Sequence, residues 1–145
     1  MNINRLTIQD TKALLSTLWI FVLLNILFRD IHELLREGAL QEMLTGQVSE
    51  TTLLIAGIAL QIPLLMVVLS RLMPTQINRW ANIGAAGIVI LVITFTGVND
   101  LDDMWFMVVE IIGLLSIAWV AWQLPTAEHT PPISKQSPIK QSMLE

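Results

Sequence analysis

Glu110 is the residue on which chemistry in this chain would turn, because it stands inside an otherwise apolar run from Met104 to Leu124. It lies six residues past Met104, roughly 9 Å along a helix that rises 1.5 Å per residue. A carboxylate at that depth in hydrocarbon is costly unless neutral or paired. It reads either as a proton or cation site and a ligand's hydrogen-bond partner, or as an acid that locks helices together. At 100° per residue it shares a face with Asp103, Phe106, Met107, Gly113, Leu114, Ile117 and Ala121, a face with small residues suited to close helix contact. Glu110 is expected to point inward.

Asn25 and Arg29 lie four apart on another apolar run, with Leu18, Val22, His32 and Arg36 on the same stripe. If the two runs are antiparallel helices, Asn25 stands at the level of Glu110. Contact of Arg29 or Asn25 with Glu110 is then geometrically open and would neutralise the acid. Asp30 adds a carboxylate beside them. The plainer reading is an interhelical hydrogen bond without a substrate. His32, between Asp30 and Glu33, lacks a second ligand helix, so it reads as solvated loop and no metal site is expected. Trp19 lies deep in its run, as core or as a stacking surface for an apolar ligand. Gln61 and Pro63 fall in the middle of a third run, where proline removes a backbone hydrogen bond and kinks the helix; Gln61 is placed to repair it.

The elements that must carry these residues are four apolar stretches, Ala13 to Phe28, Leu53 to Leu69, Trp80 to Val98 and Met104 to Leu124. Each, with a flanking turn, approaches the about 20 helical residues that cross a bilayer. Composition agrees: 54% hydrophobic, 14% charged and a mean hydropathy of +0.65 leave no polar outer face for a soluble bundle. The expected fold is all-α, an antiparallel four-helix transmembrane bundle with spans near residues 11–30, 52–72, 80–98 and 104–124. A transmembrane domain over residues 1–124 precedes a Pro-, Ser- and Gln-rich tail, 125–145, expected to be disordered. The first span has no small-residue cleavage site after Phe28 and reads as a retained anchor rather than a signal peptide, with Asp10 as its N-cap. Four tryptophans, Trp80, Trp105, Trp119 and Trp122, sit near span ends as interfacial anchors.

Lys and Arg are retained on the cytoplasmic side. Six of them, Arg5, Lys12, Arg71, Arg79, Lys135 and Lys140, fall in the N-terminus, second loop and tail, against Arg29 and Arg36 elsewhere. Both termini are therefore expected in the cytoplasm, within the cell's inner (plasma) membrane. The outer segment, 31–51, begins as an extension of the first helix ended by Gly38, and a short turn from Leu40 to Leu44 lies on the membrane surface. Ala81, Gly84, Ala85 and Gly87 give the third span a smooth surface for bundle packing.

A net charge of −4 without a Lys/Arg cluster excludes nucleic acid as a partner. Absence of cysteine removes disulfides, thiolate metal sites and thiol redox chemistry. Nucleophile elbow, phosphate loop and dinucleotide fingerprint are all missing, so the chain reads as more a non-enzyme than an enzyme, with no cofactor.

Several segments resemble a bacterial family of short four-helix membrane proteins known as a domain of unknown function. They are Leu15-Ser16-Thr17-Leu18-Trp19, Asn25 and Asp30 in the first helix, Ile62-Pro63, Met66 and Leu69-Ser70 in the second, Asn78-Arg79-Trp80-Ala81-Asn82 entering the third, and Glu110-Ile111 in the fourth. The resemblance runs from about Asp10 to Pro125 and is most specific at the Asn-Arg-Trp-x-Asn turn. It implies the same fold and marks Asp30, Arg79, Asn82 and Glu110 as positions to test, with no activity attached. Where family members place Tyr and a small residue before the acid at the Asp30 position, this chain has Phe28-Arg29, so no role for Arg29 follows from the resemblance. A looser likeness to DoxX-like four-helix membrane proteins is architectural.

Three functions stay open. The bundle binds or moves a small apolar or cationic ligand through an intrabundle cavity, with Glu110, Asn25, Arg29 and Asp30 as polar contacts and Trp19, Phe21 and Met107 as walls. Alternatively it is an accessory or scaffolding subunit, as a homo-oligomer or with a membrane partner, in which Gln61, Pro63, Asn78, Arg79 and Asn82 are structural. Least favoured is a membrane enzyme with Asp30, Glu110 and Arg29 at the outer mouth.

Overall fold

The computed structural model describes residues 7–36, 38, 41, 44–45, 49–96 and 101–125. These form four helices, α1 (Ile8–Leu35), α2 (Glu50–Leu72), α3 (Thr75–Thr96) and α4 (Leu101–Trp122), with no strand among the described residues. Each contains a segment long and apolar enough to cross a membrane: Ile8–Leu35, Leu53–Leu72, Thr75–Phe95 and Leu101–Trp122.

α1 starts earlier than expected, because Thr7 rather than Asp10 is its N-cap. Asp10 is instead the reciprocal partner of a capping box: the Asp10 N–H donates to Thr7 Oγ1 at 3.2 Å, and the Thr7 N–H donates to Asp10 Oδ2 at 3.1 Å. With 28 residues the helix is about 42 Å long, more than the about 30 Å of a hydrocarbon core. Its far end therefore continues past Arg29 to Leu35, and Gly38 adopts a left-handed φ of 90° just beyond. Of the expected surface turn only Gln41 and Leu44 are described, so most of it lies outside the described residues, as does the tail from residue 126.

Only Met73 and Pro74 separate α2 from α3, which makes the two antiparallel. α3 begins at Thr75, so the Asn78 to Asn82 motif lies within the first turns of a helix and is not itself a turn. The helices form a ring in which each packs on its sequence neighbours and α4 closes on α1; α2 and α3 make the thinnest contact. One end of the bundle, the terminal end, carries Thr7 and Pro125.

Inward positions follow helical spacing. Thr11, Lys12, Leu15, Ser16, Trp19 and Val22 are the buried face of α1, and Glu110, Gly113, Leu114, Ile117, Val120 and Ala121 that of α4. Where these faces meet, the backbone at Gly113 approaches so closely that a Cβ there would stand 2.9 Å from Val22 Cγ2. The small residues of α3 divide: Ala85 and Ala86 enter the core, whereas Gly84 and Gly87 are exposed with open space above them. Around the outside, Leu54, Ile58, Leu91, Phe95 and Ile112 are exposed, a surface that hydrocarbon would solvate.

Candidate functional site

Two polar layers interrupt the apolar interior. At the end opposite the termini, α1 supplies Arg29 and α4 supplies Asp103 and Glu110, seven residues apart and so on one face. Arg29 Nη1 donates to Glu110 Oε2 at 3.0 Å, and Arg29 Nε lies 3.2 Å from Asp103 Oδ1. The Glu110 side chain is fully buried, and its Oε1 has no hydrogen-bond partner among the described residues. One turn further out, His32 Nδ1 stands 2.9 Å from Asp102 Oδ2, with the His32 ring 6.0 Å from that of Phe106. His32 is thus in the last turn of a helix and not in a loop. Among the described residues no three His, Cys, Asp or Glu side chains gather as a metal site.

A cleft of about 520 Å³ opens beside this layer between α1, α2 and α3, where α2 and α3 touch least. Its walls are apolar except for Arg29 and Asp30; Ala56, Ala59, Val92 and Phe95 are among the rest. Pro63 withholds an N–H from the Ala59 carbonyl, so the hydrogen bond missing from α2 falls on a cleft residue. Arg29 is shared by both features, reaching α4 with its guanidinium while also lining the cleft.

Of the residues expected around a ligand, the structure brings Arg29, Asp30 and Glu110 to this end. Asn25 is half-buried and makes no side-chain hydrogen bond among the described residues. Of the expected contacts only Arg29 and Asp30 line the cleft; Asn25, Glu110, Trp19, Phe21 and Met107 do not. Trp19 is fully buried in the core, Phe21 stands near Gly113 on the α4 side of α1, and Met107 packs half-buried against the core. The cleft lies on the other flank of α1. Its apolar walls read in sequence like any lipid-facing surface; the usable signal was the Ala56 and Ala59 pair ahead of Pro63.

The second layer, toward the terminal end, is built on a closed neutral circuit. Trp19 Nε1 and Ser70 Oγ both donate to Asn82 Oδ1, at 2.6 and 3.0 Å. Asn82 Nδ2 donates to the carbonyl and side-chain oxygens of Asn78 at 2.8 and 2.6 Å, and Asn78 Nδ2 donates to the Ser70 carbonyl at 2.7 Å. Three helices are joined through groups that are each fully or almost fully buried. Ser16 Oγ donates to the Val67 carbonyl at 2.8 Å, and Lys12 Nζ to the Met73 carbonyl at 2.7 Å, where the α2 C-terminus leaves carbonyls without helical partners. Arg79 Nη1 donates to the Leu124 carbonyl at 3.3 Å, its guanidinium 4.4 Å from the Trp122 ring centre. Sequence reasoning missed Lys12, Ser16 and Ser70 because a polar residue at helical spacing reads as an end or a surface until the facing helix is known. Gln61 does not repair α2: it is exposed, points away from buried Pro63, and bonds to nothing among the described residues.

No curated protein and no solved structure matches this sequence. Residues 2–128 match a family described as of unknown function, DUF6326. A chain of four apolar helices matched over that length, with the Asn78 and Asn82 motif at the centre of its closed layer, belongs to that family.

Proposed function

We propose that this chain is a multi-pass plasma-membrane protein that holds a small apolar or cationic ligand in the α1–α2–α3 cleft. Arg29 and Asp30 form the polar wall of that site, with Glu110 buried behind Arg29. The observation that carries the reading is the cleft itself: an apolar cavity whose polar wall leads through Arg29 to a buried carboxylate oxygen without a partner among the described residues. Arg29 lines the cleft beside Asp30 and pairs with Asp103 and Glu110, an acidic surrounding that supports a cationic ligand. The distribution of Lys and Arg supports an orientation with this end facing outward and both termini in the cytoplasm.

The test compares tetraphenylphosphonium with its neutral isostere tetraphenylmethane on the purified full chain, read as a shift in thermal unfolding. The wild type is expected to be stabilised by at least one probe. Glu110→Gln keeps a near wild-type unfolding temperature and loses the cation-dependent part of the shift, while Ala59→Phe, which fills the cleft, loses both parts. No shift with either probe, or equal shifts in all three proteins, overturns the reading. The closed Trp19–Asn82–Asn78–Ser70 layer favours the second reading, a scaffolding subunit whose polar residues only fix the fold. That reading predicts loss of folding in Glu110→Gln with no probe effect in any variant.

A further inference from the structure

Gln61 occupies the midpoint of α2, eleven residues from Glu50 and eleven from Leu72. That places its amide roughly 16 Å from either end of the helix, at the centre of a bilayer. The side chain is exposed and makes no hydrogen bond among the described residues. On the helical wheel it lies about 140–180° from Pro63, Met66 and Ser70, the residues α2 buries against the bundle, and so points directly away from it. An amide held unpaired in hydrocarbon is strongly disfavoured.

The surface around Gln61 is shaped for a second helix. Leu54, Gly57, Ile58, Leu65 and Val68 share its stripe at spacings of three and four and are all exposed. A Cβ at Gly57, one turn from Gln61, would meet nothing within 4 Å, so another backbone has room to come close there. An amide is both donor and acceptor, hence complementary to a copy of itself. Two copies inserted in the same orientation bring Gln61 to the same depth around a two-fold axis along the membrane normal.

We infer that the outward face of α2 is a homodimer surface, in which Gln61 of each chain hydrogen-bonds to the other's amide and Gly57 permits the approach. The occupant is a second copy of this chain, and the cleft, on the opposite flank of α2, stays open in the dimer. The inference is independent of the cleft reading.

The chain has no cysteine, so single cysteines can be introduced into the full protein without background. In liposomes under oxidising conditions, Leu65→Cys and Val68→Cys should link into dimers, while Ile88→Cys on α3 and Leu115→Cys on α4, both also exposed, should not. Adding Gln61→Leu should weaken dimerisation roughly tenfold and leave the unfolding temperature of the monomer unchanged, since Gln61 holds nothing within its own chain; Gln61→Asn should retain the dimer. Monomers at Leu65→Cys and Val68→Cys, equal linking at Ile88→Cys and Leu115→Cys, or a dimer indifferent to Gln61→Leu would overturn the proposal.

Discussion

The bundle contains two buried polar layers, ten residues apart along α1, and they are built on opposite rules. Around Trp19 and Asn82 the amides, the indole and the Ser70 hydroxyl form a closed circuit without net charge. Around Arg29 and Glu110 the groups are ionisable, one buried carboxylate oxygen has no partner among the described residues, and an open cleft adjoins. A fully satisfied network rigidifies a fold, whereas an unsatisfied buried polar group calls for a physical explanation of its own. The pair separates groups that satisfy one another from groups with bonding capacity left over.

The contrast is broken most severely at Arg29. Arg29→Met strands Glu110 in the interior and should destabilise the chain by about 3–4 kcal/mol, the usual consequence of removing one partner of a buried pair. The second substitution Glu110→Gln should recover most of that loss, because the neutral amide needs no cation. Denaturant titration of the two single variants and the double gives the coupling energy; additive losses would mean that the pair is not the reason for the instability.

Asn82→Leu comes next, at about 2–3 kcal/mol, since it leaves the Trp19 N–H and the Asn78 oxygens without their partner. The expected difference is in repair: no single substitution supplies both the donor and the acceptor that Asn82 provides, so Trp19→Phe should recover only part of the stability. Full recovery in Trp19→Phe/Asn82→Leu would show that the layer is one bond rather than a circuit. Smaller again is Gly113→Ala, at about 1–2 kcal/mol, from a methyl 2.9 Å from Val22 Cγ2 and 3.4 Å from the Phe21 ring. Val22→Ala in the same chain should relieve it, and thermal unfolding of the pair checks whether α1 and α4 are spaced by that contact.

How much of this was legible in the residues follows from what each signal depends on. Helix number and class come from run length and hydropathy, which are local, and all four helices were readable from them. Glu110 was readable because an acid in an apolar run is conspicuous, and its shared face with Gly113 and Ala121 gave the inward side. Its contact with Arg29 rather than Asn25 was not, since that choice rests on a turn or so of helix offset set by packing elsewhere. The Asn78 and Asn82 pair was visible as a motif, but its partners Trp19 and Ser70 come from two other helices. Least legible was the cleft: an absence of contact between α2 and α3 leaves no mark on apolar residues that would look the same facing lipid. Gln61 shows the converse error, where nearness to Pro63 in sequence suggested a partnership that two residues of helical rotation forbid.

The finest discrimination between the layers is a substitution with almost no expected cost. Ala59→Leu adds three carbons to the wall of a cleft of about 520 Å³ that already has space for them, so neither overpacking nor a new polar group arises. Stability should change by less than about 0.5 kcal/mol, in either direction, because the added apolar surface is only partly enclosed. If the cleft is an unused gap in lipid contact, tetraphenylphosphonium or its neutral isostere will shift the unfolding temperature of wild type and variant alike. If it is the ligand space, the shift should shrink in Ala59→Leu while stability without the probe stays put. A leucine placed at Ala86, which is buried within the core rather than on the cleft, gives the opposite signature. There the fold should weaken by about 1–3 kcal/mol from overpacking, and the probe should act on what remains folded as it does on the wild type.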